Sequence, residues 1–490
     1  MAIASMRDSA SSDERTWNAL SVPHYGSPAA FMSPRTRNSN ILISIRGTIA
    51  TIHALPFELL SKIMVLALYS QYHDTSCSDV FYLCAVCSRW RDVAIPTPLL
   101  WAQVALPLTL HGGASSITNL FLERSALRPV HINVGNAFWD PKKPADFRPA
   151  LASVGGAADR WESLAVWRID FPQADSDIID PLTYVPAGRL ASLKKLSLTL
   201  LNREIVDHPN QAVFISAPYL CDVTLDMRDA FEIIPMPWEQ LTRLEVKCSS
   251  PQACLDALVQ CVNVVAAKVS TEQWLSGVAA KPATNLVKME TLEIRVVGEE
   301  WDAEDFGPFL RQLNLPELKS LSLDCLSFED RASPLLSTAL QIFLAEGSPK
   351  LEQLALRDCI SPSDIPQLLA HTPSLVRFRF QDGQLYSIDD EFFDVLQYSS
   401  TDQTRQLVPK LERLEIAELY PTFTELAVVN LVQSRKACVK LEWSEELEWS
   451  ETYQFEEFRE ILEVEVDVDY SNSAGGVDMV ILRPKDMKGN

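Results

Sequence analysis

The chain has 490 residues, 47% of them hydrophobic and 22% charged, the balance of a soluble folded protein. Its 65 carboxylates outweigh 43 lysines and arginines, leaving a net charge of −22, which opposes binding to a nucleic-acid backbone or to an anionic membrane surface. No apolar run approaches the roughly twenty residues that span a bilayer. A single compact core is not expected at this length unless the chain is an elongated repeat.

Residues 1–40 are rich in Ser, Arg, Pro and Asn without period, and read as disordered. They hold no hydrophobic signal core, so secretion is not expected. Ten scattered cysteines then read as free thiols in a reducing compartment, cytoplasmic or nuclear or both. Ile41 to Ile52 is a β-branched run of ambiguous period.

Residues 50–105 read as a small all-helical module. Pro56 suits a helix start, and Leu59, Leu60, Ile63, Met64, Ala67 and Leu68 recur at helical spacing. A polar turn at His73 to Ser76 precedes a second helix, which Ser78 can cap. Val80, Leu83, Cys84, Cys87 and Trp90 form its apolar stripe. Pro96 and Pro98 end it, and Trp101 folds back as a third anchor. A module of about fifty residues is marginal alone, so surplus apolar side chains point to a partner.

Three stretches together, Leu55-Pro56-x-Glu58-Leu59-Leu60-x-x-Ile63, Leu83-x-x-Val86-Cys87-x-x-Trp90-Arg91-Asp92-Val93-Ala94 and Pro98-x-Leu100-Trp101, resemble an F-box. That resemblance implies docking onto the Skp-type adaptor of a cullin ubiquitin ligase. It implies Leu55, Pro56, Glu58, Leu59 and Ile63 as adaptor contacts. Trp90 and Trp101 read as internal core, with Val86 and Cys87 unassigned. The linker from Tyr69 to Ser78 is longer than the family pattern, which leaves the start of the second helix open.

From residue 115 to 470 a pattern recurs. Its clearest copy is Leu190-x-x-Leu193-x-x-Leu196-x-Leu198-x-Leu200. Others start at Leu241, Met289, Leu318, Leu351, Leu375 and Leu411, with weaker ones at Trp161, Leu220 and, last, Lys440-Leu441-Glu442-Trp443. Pro-x-Leu often leads in, as in Ala217-Pro218-Tyr219-Leu220 and Val408-Pro409-Lys410-Leu411. The alternating core buries one face of a short strand. Helix-like segments such as Ser333 to Glu346 and Pro362 to Ala370 lie between strands. No such unit buries its own apolar face, so neighbours must stack. The pattern resembles an irregular leucine-rich-repeat solenoid, which implies an α/β architecture with a parallel inner sheet and outer helices. Residues between the leucines would line its concave face. Trp167, Arg295, Arg357 and Arg379 are candidate target contacts there, Trp and Arg being the types that most often dominate interface energy.

Leu441 to Tyr470 is strongly acidic and carries Trp, Tyr and Phe. Phe455, Phe458, Ile461 and Leu462 fit an amphipathic helix, and Leu462-x-Val464-x-Val466-x-Val468 fits a closing strand. Together they read as an acidic cap on the open end. Residues 471–490 read as a loop and a tail. His73, Cys77, Cys84 and Cys87 have a spacing that zinc tolerates on paper, but both later cysteines fall on the apolar face, so no metal is expected. His111-Gly112-Gly113 has no Gly-x-Ser-x-Gly partner, and no glycine-rich phosphate loop occurs. The expectation is a non-catalytic protein without cofactor. Its partners would be a Skp-type adaptor, a cullin scaffold and an unknown protein target. A non-degradative F-box scaffold is the alternative.

Overall fold

In the computed structural model the chain divides into two compact units, residues 1–60 and 61–490. The structure describes residues 52, 54–69, 77–107, 114–135, 148–166, 185, 188–199, 211–227, 234–248, 250–271, 283–297, 303–326, 334–347, 350–381, 388–398, 407–419, 423–443, 455, 458–468 and 478–485. The expected disordered stretch 1–40 and Trp167 lie outside them.

In the first unit, the Leu55 N–H donates to the Ile52 carbonyl at 3.2 Å, and the Leu60 N–H to the Pro56 carbonyl at 3.1 Å. The latter bond opens helix α1 (Phe57–Tyr69), whose first four residues belong to this unit and whose remainder belongs to the second. Pro56 stands at its entrance, where a missing N–H costs nothing.

In the second unit the expected second helix is two helices, α2 (Cys77–Val86) and α3 (Ser88–Ala94). Cys87 breaks them apart. Its backbone is extended (φ −163°, ψ 171°), and its thiol accepts the Trp90 N–H at 3.5 Å. It therefore caps α3 in the way a serine hydroxyl would, and is not a member of one continuous stripe. A 3₁₀ turn follows at Pro98–Trp101. Trp101 is fully buried, and its indole N–H donates to the Ala94 carbonyl at 2.9 Å. Its ring meets Phe81 of α2 and Phe121 of α4 (Ala114–Arg124) edge-on, with centroids 6.2 and 5.1 Å away. The Arg124 guanidinium lies 4.5 Å over the same ring. Trp101 is the anchor expected of it, whereas Trp90 is only half-buried.

Strand β1 (Gln103–Pro107) begins two residues later, inside the segment read as purely helical. It starts a 15-stranded sheet. Next come β2 (Val130–Gly135), β3 (Trp161–Val166), β4 (Lys195–Thr199), β5 (Asp222–Met227), β6 (Arg243–Cys248) and β7 (Ala266–Thr271). A short β8 (Thr284–Asn285) precedes β9 (Thr291–Val297), and a short β10 (Leu313–Asn314) precedes β11 (Ser320–Leu326). Then follow β12 (Gln353–Arg357), β13 (Arg377–Gln381), β14 (Arg413–Leu419) and β15 (Cys438–Trp443). Strands β8 and β10 form a separate two-stranded ribbon. The others up to β15 lie in chain order and pair in parallel. This is a mixed α/β architecture with a large open parallel sheet, in the nearest-neighbour order of a stacked repeat.

The repeated sequence explains the repeated geometry. The leading residue of each motif closes a turn onto the carbonyl three residues back: Leu220 onto Ala217, Leu318 onto Leu315, Leu375 onto Thr372 and Leu411 onto Val408, at 3.3, 3.2, 3.1 and 3.0 Å. Proline occupies the second position of each of these turns, which its fixed φ favours and which needs no N–H. The leading residue is then buried, as are the two alternating strand residues, such as Leu321 and Leu323. A fully buried leucine contributes about 1.5–3 kcal/mol. The copy on β7 hides in the sequence because it reads Val264-x-x-Ala267-x-Val269, with alanine where leucine is the signal.

The connections differ from the simple expectation of outer helices. Helices do precede several strands, among them α5 (Arg148–Gly156), α6 (Pro251–Gln260), α7 (Ala303–Arg311) and α8 (Pro334–Gly347). The expected segment Pro362 to Ala370 is a 3₁₀ turn running into the short α9 (Ile365–Leu369). Two more helices, α10 (Asp390–Leu396) and α11 (Glu425–Arg435), precede β14 and β15. Between β4 and β6, however, the described connections are the 3₁₀ turns Gln211–Ser216 and Trp238–Gln240.

At the far end β16 (Leu462–Val468) is the expected closing strand. It does not pair with β15. Strand β17 (Asp478–Pro484) lies between them, antiparallel to both, so residues 471–490 are not only loop and tail. Val480 and Leu482 are fully buried, which is why this run is a strand. The amphipathic helix expected around Phe455 to Leu462 does not form among the described residues. Phe455 is fully buried with a positive φ of 47°, and Leu462 belongs to β16. The outer strand carries Glu463 and Glu465, both exposed, and charge on an edge strand opposes pairing with another chain.

Candidate protein-interaction surfaces

Helix α1 has two apolar sides. Leu60 and Met64 are each 1% exposed, whereas Leu59, Ile63 and Leu66 are 50, 48 and 58% exposed. The latter three stand four and three residues apart, so they share one helix face. Phe57, at the first turn, is also exposed. Of the residues implied by the F-box resemblance, Pro56, Glu58, Leu59 and Ile63 are exposed and Leu55 is half-buried. On α2, Tyr82 and Val86 face outward while Val80 and Cys84 are buried. Burial raises the Cys84 thiol above its ordinary pKa, so it stays protonated and packs as a small apolar group.

The second surface is the sheet face opposite the buried leucines. Registers align its side chains into rows. One row runs Glu245, Lys268, Glu293, Ser322, Ala355, Arg379, Glu415, Lys440 on successive main-sheet strands. The next runs Asp226, Lys247, Ser270, Arg295, Asp324, Arg357, Gln381. Opposite charges alternate along the first; in the second they alternate except where Ser270 separates Lys247 from Arg295. Lys268 lies 3.3 Å from Glu245 and 3.4 Å from Glu293, and Arg295 lies 3.5 Å from Glu293. Asp324 sits between Arg295 at 3.1 Å and Arg357 at 3.7 Å.

Of the predicted target contacts, Arg295 and Arg357 are thus brought together by Asp324, and Arg379 lies one strand further on. Asp324, expected on the open face, is instead largely buried beneath its two arginines. Sequence reasoning missed Arg377 and Arg413. They are neighbours in register on β13 and β14, one residue before Phe378 and Leu414. The period-2 pattern carries the signal if extended outward by one position.

Other titratable groups have structural roles. His131 Nδ1 lies 2.9 Å from Ser163 Oγ, and burial, more than its charged neighbours, holds its pKa below the ordinary value. Arg435 donates to the carbonyls of Leu407 at 2.6 Å, Val408 at 2.8 Å and Leu396, tying α11 to the turn before β14. Cys84, Cys87, Cys221, Cys248, Cys254, Cys261, Cys325, Cys359 and Cys438 are free thiols. Among the described residues no cluster of three or more His, Cys, Asp or Glu is placed to hold a metal, and no helix is long and apolar enough to cross a membrane.

No family model matches the chain, and no curated protein is similar to it. Two solved structures align over much of its length. One is a protein from Bacteroides fragilis, 10% identical, covering 69% of this chain and 72% of that one with a TM-score of 0.28. The other is a chain of the Rad7 and Elc1 complex in yeast, 12% identical, covering 81% of this chain and 96% of that one with a TM-score of 0.29. Likeness at this level assigns neither fold nor role.

Proposed function

We propose that this protein is a non-catalytic substrate-recognition subunit of a Skp-cullin-F-box ubiquitin ligase. Helix α1 and the turn before it dock onto a Skp-type adaptor, and the polar face of the sheet holds a protein target. The protein itself forms no bond. It raises the local concentration of its target near the ubiquitin-charged enzyme, and the rate gain is one of proximity.

The observation that carries this reading is the stripe Leu59, Ile63 and Leu66, about half exposed on the helix whose opposite side buries Leu60 and Met64. Large apolar side chains at helical spacing, left in water beside a filled core, are the signature of a helix that packs against another chain. The sequence Leu55-Pro56-x-Glu58-Leu59 at its start supports a Skp-type adaptor as that chain. The test is co-purification of the adaptor with the full chain. Changing Leu55 and Pro56 to alanine, or Leu59 and Ile63 to aspartate, should abolish capture. Undiminished capture by both variants would remove the docking assignment. Comparing target lifetime with and without the protein separates a degradative receptor from a scaffold.

A further inference from the structure

Although the chain carries −22 overall, the polar face of the sheet is not electrically uniform. Toward its first strands one register row is neutral: Asn133, Ala165, Ser197 and Thr224 on β2 to β5. Toward its last parallel strands it is cationic. Arg377 and Arg413 stand side by side, Arg379 and Lys440 flank Glu415 in the next row, and Arg357 lies alongside on β12.

Depth adds to this asymmetry. Arg357, Arg379 and Arg413 are 39, 48 and 44% exposed, whereas Asp324 and Glu415 beside them are 9 and 22% exposed. The carboxylates lie low and the guanidinium groups stand above them, so an approaching ligand meets positive charge first. Same-face residues on a strand are about 6.8 Å apart and adjacent strands about 4.8 Å apart. The cations therefore form a spread lattice and do not converge on one point.

We propose that the β12–β15 face binds an extended, Asp/Glu-rich segment of a protein. This rests on the reading of the sheet as the target-binding surface and names the chemistry of the target. An extended segment with acidic residues at alternate positions repeats its charge at the spacing of Arg377 and Arg379. Singly charged carboxylates fit a lattice that already seats Glu415 2.6 Å from Arg413. A phosphate dianion placed at the centre of the lattice would meet that carboxylate. A polyanionic nucleic acid would meet the surrounding negative charge of the chain.

The test uses the full chain without adaptor and two labelled twelve-residue peptides, one alternating Glu and Ser, the other alternating Gln and Ser. Fluorescence anisotropy should show the Glu peptide bound, more weakly as salt rises, and the Gln peptide unbound. Arg377→Glu, Arg379→Glu and Arg413→Glu together should weaken binding at least about tenfold. Lys319→Glu with Lys350→Glu, the same kind of reversal on the turns before β11 and β12, should leave it unchanged. If the triple variant loses its melting transition, Arg377→Gln with Arg379→Gln is read instead, and should still weaken binding about threefold. Three results overturn the proposal: equal affinity for both peptides, an equal loss in the lysine control, or tighter binding of a singly phosphorylated, otherwise neutral peptide. Adaptor capture is not measured here, so failure of the peptide test and failure of the docking reading are separate results.

Discussion

Helix α1 and the polar sheet face are both exposed, and they are built in opposite ways. The helix presents the apolar side chains Leu59, Ile63 and Leu66 along one face. The sheet presents ion pairs from Glu245 to Glu415, with its aliphatic residues turned inward. An apolar stripe gains its energy by leaving water and is nearly blind to salt. A charge lattice in contact with solvent gains little per pair and is screened within about 8 Å at physiological ionic strength. In the proposed reading, the first surface would take a constant subunit and the second a cargo recognised by charge pattern and released.

The largest effect bears on whether the helices around Trp101, α2 to α4, are separable from the sheet. Trp101→Ala should cost about 3–5 kcal/mol, because the ring fills the space between Phe81 and Phe121. Thermal unfolding should then fall in one transition for both regions. Two transitions would show that the helices melt apart from the sheet.

The contrast sharpens with paired aspartates at Leu59 and Ile63. They should weaken adaptor binding by about 2 kcal/mol or more, roughly thirtyfold, at low and high salt alike, with the melting temperature unmoved. A loss that vanishes at high salt would make the helix surface electrostatic too.

A smaller effect is expected of Asp324→Asn. Arg295 and Arg357 lose their shared carboxylate, so stability should fall by about 1–3 kcal/mol while the Glu–Ser peptide binds more tightly. Weaker peptide binding would mean that Asp324 acts mainly by holding the arginines in place. The smallest concerns His131. Its folded pKa lies below its unfolded one, so the unfolded chain takes up more protons as pH drops. The stability present above the unfolded value, about 6.5, should be lost as pH falls toward the folded pKa. His131→Asn should flatten that dependence, as read from urea midpoints between pH 7 and pH 5.

Much of the fold was legible because one motif serves two purposes. Leu318-x-x-Leu321-x-Leu323 closes a turn and then alternates into the core, and either purpose alone leaves a trace in the sequence. Strand β7 escaped because Ala267 fills a leucine position. Strand β17 escaped because Met479 to Leu482 is a continuous apolar run, which has no period to read. The break at Cys87 was invisible because a thiol is an uncommon helix cap. Around Phe455 to Leu462 the helical spacing was present, but Val464, Val466 and Val468 favour a strand and draw Leu462 into it. At the surfaces, Leu59 and Ile63 of α1 were legible from their motif, whereas Leu66, beyond its last residue, was not. Arg377 and Arg413 stand one position outside the stretch the alternation was read over, and the register shows that they are neighbours.

Trp101 closes the last turn of the helices two residues before β1, with its ring between Phe81 of α2 and Phe121 of α4. No tether separates α2 from the first strand. In a receptor of the kind proposed, a flexible joint there would let cargo sample many distances from the transferring enzyme. An aromatic rivet at that joint instead clamps α2 to α4, so whatever α2 carries travels with the first strands and does not swing on a leash.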